Sequence, residues 1–390
     1  MQPDLSPLDA TLGGGLDGYL LDSDGTDSTQ RYLSGFDAPD PFITCYTPDG
    51  VHLLVSGLEY GRAKKVARAE TVSRLSAYDY RERVSELGRE TGRGAVVADF
   101  LADHGVDGVA VPGRFPLGTA DGLRDSGVTV RVDEGDAIAG IRAVKTAEEI
   151  EHIRRAQRAN ERAMATAESL IDAEAVVEGV LHRDGDPLTS EAVRREIELT
   201  LVREGCALDE TIVACGAAAA DPHDRGSGAL RADEPIVVDI FPRDKETRYH
   251  ADMTRTFLKG TPAPTLREWF DLTDRARQAA LDAVAPGVTG ATVHNAVCDV
   301  YEDAGLPTLR SDPDAETGFI HSTGHGVGLD VHELPRVAPD GGELEPGNVI
   351  TIEPGLYDPD VGGVRIEDLI VVTEDGYENL TEYPVELVPS

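Results

Sequence analysis

Lysine is nearly missing from this sequence. Only Lys64, Lys65, Lys145, Lys245 and Lys259 occur among 390 residues, so 31 of the 36 basic side chains are arginine. Cysteine is as sparse: Cys45, Cys206, Cys215 and Cys298 are scattered, with no CxxC pair. That spacing excludes the dense disulfide framework of small secreted domains and points to free thiols in a reducing compartment. Nowhere do about eighteen apolar residues run together, which excludes a spanning helix. The start, MQPDLSPLDATLGGGLDG, lacks a basic segment followed by an apolar one, so no signal peptide is expected and the expected location is cytoplasmic.

What is abundant is negative charge. Acidic residues number 72 and the formal net charge is −36. Such a surface repels phosphate backbones and anionic membranes, so neither nucleic acid nor membrane is an expected partner. So many carboxylates destabilise a compact chain by self-repulsion at low ionic strength, whereas molar salt shortens the screening length to about 3 Å. With so little lysine, the composition suggests a halophile's salt-rich cytoplasm.

A hydrophobic content of 40% over this length is enough for one or two packed domains. Short strand-like and helix-like segments alternate from about residue 18 to 140, for example Phe42 to Tyr46 and Val51 to Ser56 around the Pro48-Asp49-Gly50 turn. They predict a small α/β domain over residues 1–142. The character changes at Lys145, where Thr146 and Glu149 have capping-box spacing and open a long helix with Ile150, Ile153 and Ala156 on one side. A second capped helix is expected from Thr189 or Ser190 to Gly205. Strand-like runs follow at Thr211 to Cys215, Pro235 to Phe241, Val349 to Glu353 and Val364 to Val372, with a helix from Leu266 to Ala285. Residues 143–390 thus form the second domain, and the fold class is α+β.

Four carboxylates interrupt or end these apolar runs: Asp239 in PIVVDIFP, Asp252 in YHADMTRTF, Glu353 in ITIEPGLY and Glu367 in GVRIEDLI. A carboxylate in a buried strand is costly unless it is paired or bound to metal. Together with a histidine in GHGVGLDVHE they invite one explanation, a carboxylate-rich dinuclear site. For any one of them alone, solvation at a strand end or a salt bridge to Arg255 or Arg365 serves as well. A lone histidine such as His325 or His332 is likewise more often a satisfied polar residue than a ligand.

Read in order, VVDIFP, YHADMTRTF, HSTGHGVGLDVHE, TIEPGLY and GGVRIEDLIVVTEDGYENLT resemble the pita-bread metallopeptidases, the Xaa-Pro aminopeptidases and Xaa-Pro dipeptidases. The resemblance spans residues 145–385, and RYLSGF at Arg31 to Phe36 is similar to the amino-terminal domain that accompanies them. It implies a creatinase-type α/β domain before a pita-bread catalytic domain, and a homodimer. It further implies that Asp239 binds one metal, Asp252 and Glu367 bridge two, and His325 with Glu353 complete the second. Hard oxygen donors with one imidazole favour Mn2+, Co2+, Zn2+ or Fe2+ over a thiolate-selected ion, and Mn2+ is the expected one. Two such ions about 3.5–4 Å apart can hold a bridging hydroxide and polarise a scissile carbonyl.

The resemblance also assigns the remaining roles. His332 would hydrogen-bond the substrate carbonyl, His321 would stand beside it, and His223 in AAADPHDRGSG would lie over the substrate. Glu353 would carry a proton toward the leaving nitrogen, and Arg365 would support the carboxylates from behind. The implied substrate is a peptide with proline in second position, whose bond has no amide hydrogen for an ordinary peptidase to grip.

One stretch departs from the family. Glycine commonly stands two positions after the first ligand and the second aspartate eleven after it. Here Ile240, Phe241 and Pro242 follow, and Asp252 lies thirteen positions after Asp239. An insertion of two residues preserves side-chain parity, so both aspartates can still face one way. A methionine-aminopeptidase-like enzyme, a creatinase-like hydrolase and a non-catalytic peptide-binding scaffold are the alternatives.

Overall fold

The computed structural model describes residues 3–173 and 175–389. The chain divides into two compact units, Gln2–Arg142 and Ala143–Ser390.

In the first unit six strands form one mixed sheet. In spatial order they are Thr71–Arg74, Gly50–Val55, Phe42–Thr47, Gly18–Ser23, Gly108–Val111 and Thr129–Val132. The three central strands pair antiparallel and the outer ones parallel. Leu20, Ile43, Cys45 and Leu54 pack with Val96 and Phe100, while Tyr19, Leu21, Phe42 and Leu53 pack with Leu33 and Phe36. Both faces are therefore buried, which is why these strands read as continuous apolar runs. The RYLSGF segment begins in the helix Ser28–Ser34, which Asp27 caps, and runs out of it through Gly35, at φ 61°.

The second unit builds two cores, each from a helix pair laid on a sheet. The helices Ala147–Ala173 and Ser190–Arg203 cover a three-stranded sheet of Thr211–Cys215, Ile236–Ile240 and Met253–Phe257. The helices Pro264–Ala283 and Gly290–Asp303 cover a five-stranded sheet. Its spatial order is Glu333–Val337, Gly324–Gly326, Val349–Ile352, Asp368–Thr373 and Gly376–Asn379. The first helix opens on the expected capping box. The Thr146 amide donates to the Glu149 carboxylate at 2.8 Å and the Glu149 amide to Thr146 Oγ1 at 3.4 Å. Thr189 caps the second helix through the Ala192 amide.

The strand expected from Val364 to Val372 is two strands. Gly362–Arg365 pairs only with Gly355–Asp358, and Asp368–Thr373 belongs to the five-stranded sheet. Between them the Ile366 amide bonds Pro354 and the Glu367 amide bonds Thr254. The chain is crossing from one sheet to another there, and apolar pattern cannot reveal a crossing that is apolar on both sides. All four cysteines are free. No helix among the described residues is long and apolar enough to cross a membrane.

Candidate metal centre

Strand parity aims the carboxylates. Ile236, Val238 and Ile240 point into the core under the first helix pair, so Asp239 must point the other way. Asp239 stands opposite Thr254, and Asp252 lies two residues before Thr254, on the same face. In the other sheet Ile350 and Ile352 enter the second core, which turns Thr351 and Glu353 outward. The two sheets thus present their acidic residues on faces away from their helices.

Asp252, His325 and Glu367 each offer a ligand atom within 4.8 Å of the others. His325 Nε2 lies 3.3 Å from Glu353 Oε1 and 3.8 Å from Asp252 Oδ2. Its Nδ1 is 3.2 Å from the Gly326 carbonyl, which can only accept, so Nδ1 carries a proton; the Nε2 that faces the carboxylates donates to Glu353 when the imidazole is charged and offers its lone pair when it is neutral. Gly324 and Gly326 make this strand possible. A Cβ on Gly324 would stand 2.0 Å from the Thr351 oxygen, and one on Gly326 2.1 Å from the Leu334 oxygen.

Asp252 and Glu367 are pushed well above the usual carboxylate range, by burial first and then by the carboxylates around them. Burial also raises Asp239, against the opposing pull of Arg365. Glu353 differs: burial opposes its charge, yet the hydrogen bond and charge of His325, with His321 and Arg365 beyond, hold it at about 2. Burial likewise disfavours a charged His325, but Glu353 raises its pKa. Asp239 Oδ1 is buried with no hydrogen-bond partner. Crowded buried carboxylates with an orphaned oxygen and one imidazole fit hard divalent cations, which would satisfy the oxygen and neutralise the repulsion.

Arg365 organises the rear of this cluster. It donates to Asp239 Oδ2 at 2.6 Å, to Thr254 Oγ1 at 3.2 Å, to the Tyr357 hydroxyl at 3.1 Å and to the Pro222 carbonyl at 3.2 Å. Thr254 in turn donates to Glu367 at 2.8 Å. The salt bridge that could have explained Asp239 without metal therefore exists, but it satisfies only one of the two carboxylate oxygens. His321 Nε2 meets the Tyr357 hydroxyl at 2.9 Å while Nδ1 meets the Ser322 carbonyl at 2.7 Å. Burial keeps His321 below its ordinary pKa.

His332 stacks edge-on to His325 with ring centroids 4.2 Å apart, and burial followed by the charge of His325 lowers its pKa. His223 sits exposed on the loop after Ala220, where its amide bonds Asp221 and its neighbour Pro222 is held by Arg365. Sequence reasoning missed Tyr357, Thr254 and Thr351. Tyr357 lies within the TIEPGLY motif, and Thr254 and Thr351 lie two residues from Asp252 and Glu353, so strand alternation was the signal that could have found them.

A model of metallopeptidase family M24 matches residues 151–374. The chain is 34% identical over 257 residues to an Xaa-Pro dipeptidase of Pyrococcus furiosus, covering 65% of this chain and 67% of that protein. It is 36% identical over 298 residues to the probable dipeptidase PepE of Mycobacterium tuberculosis, covering 76% and 71%. Among solved structures, the X-Pro aminopeptidase of Thermotoga maritima superposes with a TM-score of 0.78 at 25% identity, over 96% of this chain and 98% of that one. The fold is the α+β pita-bread fold that the ordered motifs implied. The family match covers more than half of the sequence, and the chain belongs to metallopeptidase family M24.

Proposed function

We propose that this protein hydrolyses the bond between an amino-terminal residue and a following proline, in a dipeptide or a longer peptide. The observation that carries the reading is the buried grouping of Asp252, His325 and Glu367 beside Glu353 and the half-satisfied Asp239. The names of the relatives supply the substrate class. In this reading Asp239 would hold one divalent ion, His325 with Glu353 would hold a second, and Asp252 and Glu367 would serve both. Manganese is the first choice of ion. When bound, the pair supplies a water of lowered pKa and polarises the scissile carbonyl.

The chain's own residues do the rest. Glu353 accepts a proton from the attacking water and passes it to the leaving proline nitrogen. His332 donates to the carbonyl oxygen as charge develops on it, with His321 beside it and His223 over the substrate. Arg365 keeps Asp239 aimed at its ion by occupying the other oxygen. A homodimer in a salt-rich cytoplasm completes the reading.

The test incubates protein and Mn2+, in low and molar salt, with Ala-Pro, Ala-Pro-Ala and Met-Ala-Ser, and identifies products by mass. Cleavage of an Xaa-Pro peptide is expected. Cleavage of Met-Ala-Ser alone transfers the chain to methionine-aminopeptidase chemistry, and peptide binding without metal or turnover leaves a scaffold.

A further inference from the structure

Outside the cluster of ligands the second unit buries an ion pair. Lys145 Nζ lies 2.6 Å from Glu333 Oε1, with side chains 1% and 8% exposed. In a chain with 31 arginines this is one of five lysines. Its ammonium is a compact point charge, unlike the planar fork of a guanidinium. Both partners are rooted beside the site. The Lys145 amide donates to the Gly347 carbonyl at 2.9 Å and Val144 bridges Asn348, immediately before the strand that runs from Val349 toward Glu353.

Glu333 follows His332 directly and opens the strand Glu333–Val337. That strand pairs out of regular register with the His325 strand. Gly326 faces Glu333 while His325 faces Arg336, so the intervening residues bulge. The chain between Gly328 and His332 is therefore a turn whose exit is set by Glu333. The same carboxylate fills the space that a side chain at position 328 would need: a Cβ on Gly328 would stand 2.1 Å from Glu333 Oε1. A buried carboxylate stays in such a place only with a counter-charge.

We propose that Lys145 and Glu333 are positioning residues that fix the Gly328–His332 turn and so hold the His332 imidazole against His325. The proposal rests on the reading of His332 as the group that meets the substrate carbonyl, and its test separates the two. In Mn2+-loaded enzyme cleaving an Xaa-Pro peptide, Glu333→Gln is expected to lower kcat about tenfold with KM and metal content little changed. In a His332→Ala background the same change lowers kcat by less than about twofold, because the two act through one group.

Lys145→Met strands a buried carboxylate, so Lys145→Met/Glu333→Leu is made as well. That double variant should regain the wild-type Tm and still show the roughly tenfold lower kcat of Glu333→Gln. Equal losses in both backgrounds, or turnover that follows Tm in the double variant, overturns the proposal. An independent readout is the His332 imidazole resonance in histidine-labelled protein, assigned by its loss in His332→Ala. It should move in Glu333→Gln, and an unmoved resonance overturns the positioning role. A moved resonance with full turnover in His332→Ala supports the positioning role and removes the catalytic reading of His332 instead.

Discussion

At the scale of single residues, the candidate metal centre is a collection of carboxylates that oppose one another unless cations neutralise them. Asp252 and Glu367 are raised chiefly by burial and by neighbouring carboxylates. Removing one charge should therefore help the metal-free protein and ruin the enzyme. Asp252→Asn is expected to raise the Tm of chelator-treated protein, to abolish turnover, and to erase the Tm increase that Mn2+ gives the wild type. Scanning calorimetry with and without chelator checks both Tm effects and an Xaa-Pro cleavage assay checks turnover; a lower metal-free Tm would mean that these carboxylates do not repel.

A second residue-scale prediction concerns His294, which bonds Thr323 at 2.9 Å and is held down at about 4, by burial first and then by His321 and Arg310. The unfolded chain protonates this imidazole near its ordinary value of about 6.5. Between those values the unfolded state binds the extra proton, so the stability from neutral His294 is complete above the upper value and is lost as pH falls toward the lower one. The Tm of the wild type should drop across that window more steeply than that of His294→Gln.

At the scale of elements, capping and alternation made much of the fold legible. Thr146 with Glu149, and Thr189, announced two helix starts, and the strands carrying Asp239 and Glu353 read as apolar runs ended by polar groups. What stayed hidden lies where tertiary contacts decide. The break at Ile366 and Glu367 is set by bonds to Pro354 and Thr254, and Tyr357 gains its place only because a ribbon brings it to Arg365 and His321. The candidate ligand His325 was legible by motif, but its dependence on flanking glycines was not. Gly326→Ala should push the Leu334 carbonyl aside, destabilise the unit by about 1–3 kcal/mol and weaken metal binding. Gly342→Ala has nothing within 4 Å of the new Cβ and serves as the neutral control. Equal metal affinity in the two variants would contradict this account.

At the scale of the whole molecule, charge is the governing quantity. A net charge of −36 spread over a chain whose basic residues are nearly all arginine predicts that stability and turnover both rise with KCl from millimolar to molar concentration. Thermal melts and Xaa-Pro cleavage across a KCl series measure this, and a flat response would remove the halophile reading. The longer turn after Asp239 carries a consequence of its own. Asp244 pairs with Arg155, Tyr249 bonds Glu149, and Asn160 holds the Ile240 carbonyl, so both arms of the turn are moored to one long helix while Lys245 and Glu246 stay exposed at its tip. That tip is a natural graft point: a reporter peptide inserted there is insulated by its moorings from Asp239 and Asp252, and can follow the enzyme without retuning it.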